Sequence, residues 1–232
     1  MGMRRPSRHP WIAALVLMSV LYVSSASSQE KAAPAPPDPD ALYADFVDAL
    51  EQGSKRKVKK ALEQPEFLSG VCSDGKTPVF ALTHTEDEEL IALVLQRRPD
   101  LEHVDQDGLT PLLYATQKGN AVAVQHLLSA GADSSSADPG GRPALIHAAV
   151  EGRFEIARAL LEAGAEVDAH DRNGATALIY AAAKGYYDIP KLLLEHGANA
   201  NWSTPNGETP MMLASRKNAQ RLVRLLRRHG AK

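Results

Sequence analysis

The chain has 232 residues, of which 44% are hydrophobic and 23% are charged, so it is long enough for a folded domain and too apolar to be disordered throughout. Its formal net charge of -2 argues against bulk attraction to nucleic acid, and we predict no nucleic-acid partner. Aromatic residues make up only 5%, which indicates a core of closely packed Ala and Leu side chains.

The N-terminal residues show the three parts of a secretory signal peptide. Three arginines lie among the first eight residues, the apolar stretch 11–23 follows, and small and polar residues begin at Ser24. We expect the signal peptide to be residues 1–26, with cleavage after Ala26. The apolar stretch is shorter than the roughly 20 residues that cross a bilayer, and an uncleaved membrane anchor is the alternative. The chain is therefore predicted to be exported, with the periplasm as first choice and secretion or membrane anchoring as alternatives.

Residues 27–40 form a linker rich in Pro and Ala. Four prolines lie within residues 31–40 and favour extended, polyproline-like conformations. We interpret the linker as a short, semi-rigid tether. Cys72 is the only cysteine, so the chain cannot form an internal disulfide. A redox-active or intermolecular thiol is one interpretation of Cys72; a small core or turn residue, which we favour, is the other.

A period of 33 residues runs through the rest of the chain. The glycines that mark it are Gly75, Gly108, Gly141, Gly174 and Gly207. Thr, Pro or both near the start of each period suit the beginning of a helix, and later glycines suit left-handed helix ends. The pattern predicts stacked units of helix, turn, helix and projecting finger. In one unit it predicts a first helix from about Pro111 to Lys118 and a second that runs to about Ala130.

Three segments resemble the ankyrin repeat. From Gly108, Gly174 and Gly207 they read Gly-Leu-Thr-Pro-Leu-Leu-Tyr-Ala, Gly-Ala-Thr-Ala-Leu-Ile-Tyr-Ala-Ala and Gly-Glu-Thr-Pro-Met-Met-Leu-Ala. The resemblance is strong over 72–232 and weak over 41–71. It implies an all-α ankyrin-repeat solenoid of about six stacked helix-turn-helix units with short hairpin fingers. The implied units are a degenerate N-terminal capping repeat at 41–71, a divergent repeat at 72–104, repeats at 105–137, 138–170 and 171–203, and a C-terminal capping repeat at 204–232.

The two ends and the second unit depart from the repeat pattern. A basic run at 55–60 and four arginines within 221–228 are interpreted as solvated caps. The cationic face of the last helix has an alternative role, which is contact with anionic lipid or an acidic partner. In the second unit, Glu86 and Arg98 replace glycines, so the pattern does not fix its helix ends. Pro190 falls early in a second helix and predicts a slight kink without a break.

No catalytic or metal-binding motif competes with this interpretation. His196 and His229 precede helix-ending glycines, where a cation complements the helix C-terminus, and His147 is expected to pack and to hydrogen-bond locally. The acidic run 86–89 suits the start of a helix. We predict that the protein is not an enzyme and has no catalytic residue, cofactor or metal. An enzyme or small-ligand binder that uses the concave groove is the competing class.

The resemblance implies that partners contact the finger tips and the exposed side of the first helices, where residue types vary between units. The implied partner-binding residues are Gln106, Asp107, Leu109, Gln117, Lys118, Pro139, Arg142, Val150, Glu151, Arg172, Asn173, Ala175, Lys184, Asn206, Glu208, Arg216 and Lys217.

This set leans basic, which predicts a monomeric scaffold or regulator whose protein partner has an acidic or mixed-charge surface. A membrane-tethered adaptor and a secreted effector that acts on another cell are the alternatives. We also expect that replacing Arg142 and Arg172 together by Glu weakens partner binding without lowering thermal stability.

Overall fold

The computed structural model describes residues 38–64 and 67–232, and Asp38–Lys232 form one compact unit. The predicted signal peptide at 1–26 and residues 27–37 of the predicted linker lie outside the described residues. None of the helices in 38–64 and 67–232 is long and apolar enough to cross a membrane.

Six pairs of short helices, here called units 1 to 6, build the described part of the chain. Their bounds are Pro39–Glu51 and Lys55–Leu62 in unit 1, the 3-10 helix Pro78–His84 and Glu88–Leu95 in unit 2, Pro111–Lys118 and Ala121–Ser129 in unit 3, Ala144–Glu151 and Phe154–Glu162 in unit 4, Ala177–Lys184 and Asp188–Glu195 in unit 5, and Pro210–Arg216 and Gln220–Arg228 in unit 6. A 3-10 turn, Phe67–Ser69, lies between units 1 and 2. Isolated antiparallel bridges close two of the fingers, Ala137 with Pro143 and His170 with Thr176. The predicted all-α repeat solenoid is confirmed.

Local sequence sets where these helices begin and end. The hydroxyls of Thr110 and Thr176 each accept a hydrogen bond at 3.4 Å from the amide three residues later, which satisfies a free N–H at the helix start. The first helices of units 3, 4 and 5 end at Gly119, Gly152 and Gly185, whose φ values are 77°, 71° and 79°. Residues with a side chain rarely adopt this left-handed backbone conformation, so glycine ends the helix at the lowest cost in free energy. The predicted helix Pro111–Lys118 is confirmed, and its partner helix ends at Ser129, one residue before the predicted end.

The core runs along the stack because each unit covers the apolar face of the next. First helices pack against first helices, and second helices against second helices. Small residues allow this close approach, and the alanines that share one position in units 3 to 6 are all fully buried: Ala115, Ala148, Ala181 and Ala214. Packing of this kind needs few aromatic side chains, in agreement with the composition.

Unit 2 is the divergent unit. Its first helix is the 3-10 helix, and Asp87 caps its second helix by accepting hydrogen bonds from two amides of the first turn at 3.0 and 3.2 Å. The acidic run therefore opens a helix, as predicted. Arg98 takes the position that glycine holds in units 3 to 6 and has a left-handed φ of 52°. In unit 5, the second helix runs through Pro190 without a break, as predicted.

Candidate functional site

Each finger of units 3, 4 and 5 is held by an aspartate at the same repeat position. In unit 4, Asp138 Oδ1 accepts hydrogen bonds from the amides of Gly140 and Arg142 at 2.8 and 2.9 Å. Its Oδ2 accepts from Arg142 Nη2 at 2.8 Å and from His147 Nε2 at 3.0 Å. The Asp138 side chain is only 4% exposed. One buried carboxylate therefore joins the finger backbone, a finger side chain and the first helix.

These contacts set the charge of each group. Burial opposes the ionisation of Asp138, but the hydrogen bonds and the charge of Arg142 outweigh it and lower the pKa. Burial lowers the pKa of His147, and Asp138 offsets only part of this effect. His147 thus bonds locally, as predicted, and is neutral at neutral pH. In unit 5, Tyr180 donates to Asp171 Oδ2 at 2.6 Å; burial and this bond raise the pKa of Tyr180 to about 12.

Unit 3 departs from this arrangement. Asp105 Oδ1 accepts two backbone hydrogen bonds at 3.0 and 2.9 Å, whereas Oδ2 is buried and has no hydrogen-bond partner among the residues that the structure describes. Tyr114 has the repeat position of His147 and Tyr180, but its ring packs edge-on against Phe80 at 5.6 Å. The ammonium groups of Lys76 and Lys118 lie 5.0 and 5.2 Å from the Tyr114 ring centroid, which is the geometry of a cation–π contact.

The predicted set of partner-binding residues contains neither Tyr114 nor Lys76. The sequence does mark Tyr114 by its spacing, because Tyr114 lies nine residues after its finger aspartate, as His147 and Tyr180 do after theirs. That spacing marks the residue of the first helix that faces the finger. It does not say whether the residue bonds the aspartate or a neighbouring side chain.

Most of the predicted partner-binding residues lie on the surface. Those that are exposed are Gln106, Asp107, Gln117, Lys118, Pro139, Glu151, Arg172, Asn173, Lys184, Asn206, Arg216 and Lys217, and those that are half-buried are Arg142, Val150 and Glu208. They fall on the fingers, at the junction of finger and first helix, and at the C-terminal ends of the first helices. Because units stack in one register, these positions form a repeating row.

Leu109 and Ala175 are corrections to the predicted set. They are 6% and 7% exposed and belong to the hydrophobic core. Each donates its amide to its finger aspartate, at 2.9 and 3.0 Å, and each side chain is packed against the core. The prediction that these two residues contact a partner is wrong, because the fold uses them to close the finger onto the stack.

Several side chains of the set already have partners within the chain. Arg142 pairs with Asp138, Arg216 pairs with Glu208 at 2.8 Å, and the Gln106 amide donates to a backbone oxygen of unit 2. Arg142 therefore has a structural role, and the expectation that its charge can be reversed without a loss of stability is corrected. A Glu side chain at position 142 would remove this ion pair and place a second carboxylate beside the buried Asp138 carboxylate.

Four cations of the set remain available to a partner. They are Lys118, Arg172, Lys184 and Lys217, none of which has an ion-pair partner among residues 38–64 and 67–232. Lys118 lies over the Tyr114 ring, and the stem of Lys217 lies beside Gly185. The basic character that the sequence predicts for this surface rests on these four residues.

Neither metal binding nor thiol chemistry is indicated in the described part of the chain. No group of three or more His, Cys, Asp or Glu side chains is placed to hold a metal ion there. Cys72 is 9% exposed, and its thiol lies 3.7 Å from the Pro39 carbonyl oxygen. Burial and the nearby Asp40 and Asp74 raise the pKa of Cys72 to about 11, so the unreactive thiol is strongly favoured over the thiolate.

Stacked helix pairs with projecting fingers define a solenoid repeat protein whose variable side chains face solvent along one row. The family model described as "Ankyrin repeats (3 copies)" matches residues 46–171 and 165–232. The chain belongs to the ankyrin-repeat family. Ankyrin repeats generally mediate protein–protein interaction, and the family is typically non-catalytic. No curated protein matches the chain in a sequence comparison.

Proposed function

We propose that the chain is an exported, non-catalytic scaffold or regulator that binds a protein partner through its finger tips and the C-terminal ends of its first helices. One observation carries this proposal. Along a single row, the groups that hold the fold repeat from unit to unit, whereas the exposed side chains between them differ. Packing places no demand on those side chains, so their differences are available for the recognition of one partner.

Charge supports an acidic or mixed partner surface. Lys118, Arg172, Lys184 and Lys217 are exposed and have no ion-pair partner among the described residues. Of the three acids in the same row, Glu208 pairs with Arg216, and Asp107 and Glu151 are exposed, so the free cations outnumber the free acids. Complementary charge across such a surface speeds association and selects the partner. A partner with acidic side chains at the spacing of the repeats fits these residues.

The first test is to identify the partner and then to reverse two of the free charges. The full chain is tagged, expressed in its native host and crosslinked, and the captured proteins are identified by mass spectrometry. Binding of the purified partner is then titrated against the Arg172→Glu, Lys184→Glu double variant. We expect its affinity to fall at least tenfold with no change in the urea midpoint, because neither side chain has an ion-pair partner in the fold.

The matched control is the Lys59→Glu, Lys60→Glu double variant. It changes the net charge by the same amount in the second helix of unit 1, away from the row, and both residues are exposed. We expect its affinity to stay within about twofold of wild type, since exposed charges beyond a Debye length of about 8 Å are screened at physiological salt. Equal losses in the two double variants, or no loss in the first, would remove this row as the site.

Export is the second part of the proposal and has its own measurement. It is supported by the basic, apolar and small-residue order of residues 1–26. Edman sequencing or mass spectrometry of the protein from its native host is expected to give an N-terminus near Ser27. A mature protein that begins within the first residues would support the membrane-tethered alternative or refute export.

A further inference from the structure

Three exposed positions of the second helices carry one charge pattern in units 4 and 5 and another in unit 6. The residues are Glu155, Arg158 and Glu162 in unit 4, Asp188, Lys191 and Glu195 in unit 5, and Arg221, Arg224 and Arg228 in unit 6. In unit 4, Arg158 pairs with Glu155 at 2.5 Å and lies 3.9 Å from Glu162. In unit 5, Lys191 lies 3.7 Å from Glu195. The middle cation is thus neutralised by its own helix in units 4 and 5.

Unit 6 has cations at all three positions and a fourth at Arg227. Residues 216–232 contain seven Lys and Arg side chains and no Asp or Glu, although the whole chain has a formal net charge of -2. Arg221 stacks on the Tyr187 ring at 4.3 Å. Arg224, Arg227 and Arg228 have no ion-pair partner in the part of the chain that the structure describes. Like charges three and four residues apart destabilise a helix.

A capping role accounts for only half of this cluster. Arg227 and Arg228 lie in the last turn of Gln220–Arg228, where cations complement the helix dipole. Arg221 is the second residue of the same helix, where the dipole disfavours a cation and where units 4 and 5 carry acids. Solubility does not require four arginines in unit 6 either, because the acidic side chains of units 4 and 5 already give the same face charged, solvated groups.

The end of the described stack also exposes an apolar side chain. Ile179 and Leu194 of unit 5 are each 4% exposed because unit 6 covers them. The residues at the same positions in unit 6 are Met212, which is 46% exposed, and Arg227, which is also exposed. Met212 and Arg227 therefore lie on the same end of the described stack.

We propose that the C-terminal arginine cluster, defined as Arg221, Arg224, Arg227 and Arg228, docks this end of the protein on an anionic phospholipid bilayer. The guanidinium group of arginine matches phosphate by bidentate hydrogen bonding. A flat bilayer fits the convex face of a helix, and Met212 enters the interface between headgroups and acyl chains. The acids of units 4 and 5 keep the rest of that face away from the bilayer, and the fingers stay free for a protein.

The cluster is tested by vesicle co-sedimentation of the full chain. Vesicles of phosphatidylcholine with 30% phosphatidylglycerol are compared with pure phosphatidylcholine at two salt concentrations. The test variant is Arg224→Gln, Arg227→Gln, Arg228→Gln, which leaves the Arg221 contact with Tyr187 in place. We expect it to bind the anionic vesicles about a hundredfold more weakly, from about fivefold per cation lost. We expect its thermal midpoint to stay close to that of wild type, because relief of the repulsion among the three cations offsets the lost contacts of Arg227 and Arg228 with the helix dipole.

The matched control is Arg56→Gln, Lys59→Gln, Lys60→Gln, which removes three exposed cations from unit 1 at the other end of the stack. The control is expected to bind the anionic vesicles as wild type does, and raised salt should weaken wild type. A loss in the control as large as that in the test variant would overturn the proposal. Retention of vesicle binding by the test variant would also overturn it. So would binding of wild type to poly-glutamate without binding to vesicles, because that result would assign the cluster to an acidic protein.

Discussion

Replacement of Asp138 by Asn tests whether the second carboxylate oxygen stabilises unit 4. Asn keeps one oxygen for the two finger amides but loses the charge that faces Arg142 and His147. Hydrogen bonds to charged groups contribute about 1.5–3 kcal/mol each. The Arg142 side chain is 40% exposed, so solvent screening reduces its share. We expect the free energy of unfolding to fall by about 2 kcal/mol.

Asp105→Asn is the matched control because it has the same repeat position and the same two backbone hydrogen bonds. Its second oxygen has no hydrogen-bond partner in the described part of the fold, so the amide removes a buried charge without removing a bond. We expect its free energy of unfolding to stay within about 0.5 kcal/mol of wild type. Both variants are unfolded in urea with circular dichroism detection, and midpoints are compared at equal m-values. Equal losses of unfolding free energy in the two variants would refute the stabilising role of the second Asp138 oxygen.

The pH dependence of the same difference gives an independent measurement. The pKa of Asp138 is lowered in the folded state, so its contribution is present above the unfolded pKa and is lost as the pH falls through the folded pKa. The lowered pKa of His147 reduces the stability of both proteins as the pH falls, because the unfolded chain binds that proton more readily, and the Asp138 carboxylate offsets part of this loss in wild type only. We expect the wild-type and Asp138→Asn midpoints to converge below about pH 4. A difference that stays constant down to pH 3 would contradict a charge-based origin.

Two further pairs of substitutions test a left-handed backbone position and a buried hydroxyl. Arg98→Gly replaces a residue whose φ of 52° is left-handed, and it is expected to raise the free energy of unfolding by about 1 kcal/mol. Asn218→Gly, at a φ of 54°, is expected to raise the free energy of unfolding by less, because Asn tolerates this conformation. A urea midpoint that falls for Arg98→Gly would show that the arginine side chain stabilises more than its backbone costs. Thr116→Val replaces a buried hydroxyl that has no hydrogen-bond partner among the described residues, and it is expected to raise the free energy of unfolding by about 1 kcal/mol. Thr110→Val removes a helix cap and is expected to lower the free energy of unfolding by about 1 kcal/mol. Shifts of the same sign in these two variants would contradict this assignment.

Helix ends and repeat boundaries were open to prediction because their signals are local. A Thr hydroxyl reaches an amide three residues away, and a glycine ends a helix through its own φ angle, so Thr110 and Gly119 mark a helix whatever packs around it. Repetition of the same signals every 33 residues then required the units to stack, since one unit cannot cover its own apolar face. The same reasoning failed at Arg98, where a residue other than glycine occupies the left-handed position.

The sequence by itself determined the class of fold, the order of its units and the row of variable positions, because each depends on contacts within a unit or on a repeated register. Only the tertiary structure decided which members of that row are available to a partner. Leu109 is buried and Arg142 is held by Asp138, although Asp107 and Pro139 of the same two fingers are exposed. The sequence shows the arginines of the last helix, but only the structure shows that the corresponding cations of units 4 and 5 are neutralised and that Met212 is exposed at the same end of the described stack. Burial and ion pairing depend on which groups of the adjacent unit and the facing helix lie against a side chain. The spacing of residues along the chain does not determine the distances between those groups.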